Sequence, residues 1–121
     1  MPLGRQLYVI HCIDDDSCGR AEGTPRGGSV KRISAYPAHK EYQRMTSDKE
    51  SPHFITKICA GPMVEEDDKY MLGSAFVVES TRAEAETFVN NDPFSKGGVW
   101  KTISINRYMP VAGIKPHGGN L

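Results

Sequence analysis

The strongest pattern in the chain is Leu7-Tyr8-Val9-Ile10-His11-Cys12-Ile13, a run of β-branched and aromatic residues without Gly or Pro that predicts a central strand. From Asp14 to Ser29 apolar positions nearly vanish, while aspartates, Gly19, Gly23, Pro25, Gly27 and Gly28 accumulate. That composition predicts a long mobile loop, and loops beyond roughly 12 residues commonly serve as lids, so this one is a candidate cover for a site. Val30, Ile33, Tyr42 and Met45 then recur at helical spacing through about Lys49, with Pro37 expected to break the pattern into two pieces. A second piece starting at Pro37 puts His39 in its opening turn, where the helix dipole favours the neutral, proton-accepting imidazole.

Phe54 to Ala60 reads as a second strand ending at Gly61-Pro62, and Tyr70 to Glu79 as a third. The acidic run Glu65-Glu66-Asp67-Asp68 joins them as a solvated hairpin turn. Thr81 and Glu84 have the spacing of a capping box, and Ala85, Phe88 and Val89 supply the buried face of the helix that follows. Asn90-Asn91-Asp92-Pro93 ends that helix, and Val99 to Tyr108 forms a last strand. The Gly-rich tail after Pro110, residues 110–121, has no periodicity and is expected to reach over a neighbouring subunit.

The order strand, helix, strand, strand, helix, strand predicts an α+β fold of ferredoxin-like βαββαβ type, with a four-stranded antiparallel sheet covered on one face by two helices. Apolar residues on the other face need a partner. Two such sheets meeting face to face make a dimeric α+β barrel, so a homodimer is expected.

With 121 residues the chain fits one domain, and 38% hydrophobic with 25% charged residues is ordinary for a folded one. Fifteen basic residues against fifteen acidic ones leave no excess to attract phosphate backbones or acidic membranes, which disfavours nucleic acid and membrane partners. Apolar runs such as Ala75 to Val78 fall far short of the roughly 20 residues that span a bilayer, and Met1 to Arg5 opens no signal peptide, so a cytoplasmic location is expected. Three cysteines, Cys12, Cys18 and Cys59, lack paired spacing and are read as free thiols.

Most candidate motifs have a bland explanation. Asp14-Asp15-Asp16 begins like a calcium loop, but Pro25 stands where the bidentate Glu belongs. The glycines fit neither a dinucleotide nor a phosphate loop, and the Cys and His spacings give no zinc signature, so no metal and no cofactor are expected. His11 falls within a buried strand, His53 follows Pro52 at a strand entrance, and His117 lies in the tail. His39 differs, because a helix start beside Pro37 points polar groups into a cleft as readily as to solvent. Asp92 before Pro93 is either a turn residue or a carboxylate that orients an imidazole or itself transfers a proton.

Taken in order, Leu7-Tyr8-Val9-Ile10, Arg32 to Tyr42 with its Pro37-Ala38-His39 core, Ala60-Gly61-Pro62, Gly73 to Glu79, Asn91-Asp92-Pro93-Phe94 and Gly98-Val99-Trp100 resemble the YCII-related family. The resemblance runs from Tyr8 to about Pro110 and implies a small dimeric α+β barrel, related in fold to muconolactone isomerase, with a His and Asp active pair that falls on His39 and Asp92. One characterised kind of member eliminates chloride from a chlorinated hydroxyquinol. Tyr36 departs from the pattern, standing where an arginine often precedes Pro-Ala-His, and the Asp14 to Ser29 loop and the tail are longer than usual.

The resulting expectation is a cofactor-independent acid and base enzyme, a lyase or isomerase of a small cyclic or aromatic metabolite, with dehydrochlorination as one form. His39 would abstract the proton, Asp92 would hold the imidazolium or return the proton, and Tyr8, Tyr42, Phe76 and Phe94 would offer apolar walls to a flat ring. The competing reading is a non-catalytic module that binds a small ligand or dimerises as an accessory domain.

Overall fold

The computed structural model describes residues 5–113. Its elements run β1 Gln6–Asp14, β2 Arg20–Ala21, β3 Gly28–Ser29, α1 Val30–Thr46, β4 Thr56–Val64, β5 Met71–Ser80, α2 Arg82–Asn90, α3 Pro93–Lys96 and β6 Trp100–Tyr108. Four long strands form one sheet in the order β4-β5-β1-β6, antiparallel throughout. This is the expected ferredoxin-like α+β arrangement, with the most apolar strand, β1, in the interior of the sheet.

Alternation sets the core. Tyr8, Ile10 and Cys12 point to the helix side, where they pack with Phe76, Val78, Ala85, Phe88, Val89, Phe94, Val99 and Trp100. The opposite face carries Val9, His11, Ile13, Ala75 and Val77. His11 is therefore exposed on the open sheet face and not buried within the strand as expected, because the period of two turns it away from Ile10 and Cys12. Cys12 is fully buried, and burial, aided by the charges of Asp92 and Asp14, pushes its thiol up to about 12. All three cysteines are free.

Three expectations need correction. Helix α1 is continuous through Pro37. Proline removes one hydrogen bond and crowds the carbonyl four residues before it. Contacts on both sides hold the helix together nonetheless: Arg32 and Thr46 are buried, and Ala35 and Tyr42 pack on the core. His39 thus lies more than two turns past the helix start, beyond reach of the dipole at the N-terminus. Strand β4 also passes through Gly61-Pro62 without stopping. Because β4 is an edge strand, the missing proline N–H has no outer neighbour to serve.

The third concerns the segment before α1, which carries β2 and β3 paired with one another and is bound to the hairpin turn. Gly27 bridges Tyr70, Arg26 pairs with Asp68 at 2.8 Å, and Arg20 pairs with Glu65 while its guanidinium lies 3.8 Å from the Tyr70 ring centre. Two of the four acidic residues in the turn are therefore anchors for that segment and not merely solvated. Most of the tail, residues 114–121, lies outside the described residues, as does His117. Among the described residues no helix is long and apolar enough to cross a membrane.

Candidate active site

Helix α1 lays Arg32, Tyr36, His39 and Gln43 along one face at spacings of three and four residues, and all four line a cavity of about 530 Å³. Lys57, Ala60, Ser74 and Phe76 supply its sheet side, and Gly23 to Arg26 close a third wall. The segment read from sequence as a candidate cover therefore does border the cavity.

Asp92, Pro93 and Phe94 together clamp His39. Asp92 caps the short helix α3, its Oδ1 accepting the Phe94 backbone N–H at 2.8 Å, and Pro93 occupies the first helical position, where no N–H is needed. That turn aims the carboxylate at α1. Asp92 Oδ1 lies 2.7 Å from His39 Nδ1, and Oδ2 accepts from Gln43 Nε2 at 2.8 Å. The next residue places its ring against the imidazole, with Phe94 and His39 stacked at 3.7 Å and 2°. Trp100 meets both rings edge-on.

Asp92 is wholly buried, whereas the His39 side chain is 12% exposed. A carboxylate can only accept, so Nδ1 carries the proton in that contact, and in a neutral imidazole the lone pair is on Nε2. Asp92 does not line the cavity, so its carboxylate contacts the His39 ring and not the cavity itself.

Two further charged groups sit in the wall. Arg32 is buried and pairs with Asp14 at 3.0 Å; burial raises the Asp14 carboxyl, and the guanidinium opposes that rise. Lys57 donates from Nζ to the Gln43 carbonyl, Thr46 Oγ1 and Ser47 Oγ, tying strand β4 to the last turn of α1. Burial lowers its ammonium to about 8. Among the described residues no group of three or more His, Cys, Asp and Glu is placed to hold a metal.

Of the residues singled out in the sequence, His39 and Asp92 come together and Phe76 lines the cavity. Phe94 backs the imidazole from within the core and does not face the cavity. Tyr42 faces the other side of α1, donating to the Phe88 carbonyl at 2.8 Å and lining a separate groove against α2. Tyr8 belongs to the core. Sequence reasoning missed Arg32, Gln43 and Ser74. The first two carry a readable signal, since they stand seven residues before and four after His39 and so share its helix face.

The chain is similar in fold to a solved structure, the 5-chloro-2-hydroxyhydroquinone dehydrochlorinase from Burkholderia phenoliruptrix AC1100 in complex with 2,5-dihydroxybenzoquinone. It is 26% identical, with a TM-score of 0.61, over 86% of this chain and 94% of that one. No curated protein matches significantly. The sequence profile of the YCII-related domain matches residues 7–108, from the first core strand to the end of the last, and the chain belongs to the YCII-related family.

Proposed function

We propose that the protein is a cofactor-independent acid and base enzyme, a lyase or isomerase of a small cyclic or aromatic metabolite, in which His39 is the base and Asp92 its orienting partner. The observation that supports this reading is the 2.7 Å contact from Nδ1 of His39, a residue lining a cavity of ring-sized capacity, to a buried carboxylate. In an isomerisation, Nε2 takes a proton from one substrate atom and returns it to another. In an elimination, the electron pair of the broken bond to hydrogen forms a double bond, the carbon–halogen bond breaks with its pair going to halide, and the imidazolium releases the proton to water. Neither sequence needs an oxidant or reductant. The similarity to a protein named as a dehydrochlorinase, and bound to a dihydroxybenzoquinone, supports dehydrochlorination as the particular reaction.

The test is a panel of chlorinated hydroxyquinols incubated with purified protein and no added cofactor, followed by chloride release and ring absorbance. Catalytic chloride release is expected. Saturable binding without product would instead favour the ligand-binding module.

The working unit in this reading is a homodimer. Its support is the open sheet face, where Val9, Ile13 and Val77 stand opposite the helices while the core cluster lies entirely on the other side. Light scattering is expected to give twice the 13.4 kDa of one chain, and a monomer at micromolar concentration would remove the barrel.

A further inference from the structure

We infer that Ser74 Oγ–H and Arg32 Nε–H form a donor pair for an oxygen of the substrate, so that the cavity selects rings bearing a phenolate, enolate or carbonyl oxygen. The inference rests on the acid and base reading for its role in turnover, but the donor pair itself is argued from hydrogen-bond accounting.

Ser74 Oγ lies 3.1 Å from Arg32 Nη2 and 3.3 Å from Trp100 Nε1. A guanidinium and an indole N–H can only donate, so the serine oxygen accepts twice and both its lone pairs are used. Its own proton then has to donate, and among the described residues no acceptor receives it. Arg32 presents the same deficit. Nη1 is spent on both oxygens of Asp14 and Nη2 on Ser74, while Nε is buried without a partner. Arg32 is 3% exposed and Ser74 2%, and both line the cavity. A buried donor left unpaired is destabilising, so such a site is completed by an acceptor from outside.

The location fits the chemistry. Arg32 Cζ rests 4.7 Å from the centre of the Phe94 ring and His39 stacks on that ring at 3.7 Å, so the guanidinium and the imidazole pack on one ring, and both line the cavity with Ser74. When Nε2 takes a proton from an O–H or C–H bond, the electron pair stays on the substrate and its charge collects on oxygen. In this inference Ser74 and Arg32, held by Asp14 and Trp100, are the preorganised donors that stabilise that charge. Asp14 neutralises the guanidinium, so the pair recognises oxygen by direction and not by attracting any anion.

Binding of 4-nitrophenolate and of nitrobenzene, measured by calorimetry on the full chain, tests this without relying on turnover. Wild type is expected to prefer the phenolate by tenfold or more. Ser74→Ala, which deletes one oxygen and whose folding is checked by its thermal transition, is expected to cut that preference to about threefold while leaving nitrobenzene binding unchanged. Arg32→Lys, which keeps the cation but loses Nε–H, should do the same if it folds, and Ser74→Ala decides alone if it does not. His39→Ala is expected to keep the preference, which separates this pair from the base. An undiminished preference in Ser74→Ala, or none in wild type, overturns the inference even where the protein proves to be a lyase. Conversely, a selective protein that turns nothing over defeats only the catalytic reading.

Discussion

Replacing His39 by Ala is expected to lower turnover by about 10²- to 10⁴-fold, the range that one positioned proton-transfer group contributes. The loss should fall on kcat rather than on binding, because the cavity walls contributed by Phe76, Ser74 and Arg32 do not depend on the imidazole. The fold should survive. His39 borders the cavity, so water can enter the space it leaves, and Asp92 keeps its bonds from Gln43 and the Phe94 backbone. The stability cost is then about 2 kcal/mol, for one stacking contact and one hydrogen bond. Free imidazole added to the variant has a vacated slot on the Phe94 ring and should restore part of the rate. Unchanged kcat in a folded His39→Ala protein would remove the proposed base.

His39 is legible in the sequence, as are the elements whose chemistry is local. The β1 run, the Thr81 to Glu84 capping box and the succession of the four long strands and two long helices along the chain follow from period and local chemistry, and all recur in the structure. Both halves of the capping box form, because each needs only residues three apart. Pro37 misled for the opposite reason: whether a proline breaks a helix depends on what the flanking turns bury, which is decided by tertiary contact. Pro62 misled likewise, since tolerance of proline depends on a strand being at the edge, and edge position is a property of the assembled sheet. The aromatic wall shows the same limit. Tyr42 and Tyr8 are flat and apolar like Phe76, but only the register of α1 on the sheet assigns Phe76 to the cavity and the tyrosines elsewhere. Ser74 carried no sequence signal at all, because its significance lies in two donors from residues 42 and 26 positions away.

Asp92 should show stability and catalysis coming apart. Asp92→Ala removes the acceptor for three buried or half-buried donors at once: His39 Nδ1, Gln43 Nε2 and the Phe94 backbone N–H. It also uncaps α3, the turn that seats Phe94 under the imidazole. Losing a wholly buried, fully bonded carboxylate in this way is expected to cost about 3–5 kcal/mol, a large share of the margin of a domain this size. Asp92→Asn behaves differently. Its side-chain oxygen can still accept from Nδ1 and from Phe94, and its NH₂ then faces Gln43, whose amide can rotate to present oxygen instead of nitrogen. The Asn protein should therefore lose only about 1 kcal/mol in urea unfolding. Its kcat should nevertheless drop by about 10²- to 10⁴-fold, because the imidazolium that forms on proton transfer no longer has a negative charge behind it. A stable Asp92→Ala protein would show that the three bonds do not hold α1 to α3. An Asn variant at full kcat would show that Asp92 supplies only position, and the electrostatic half of the proposed pair would have to be sought in Asp14, the other buried carboxylate near His39.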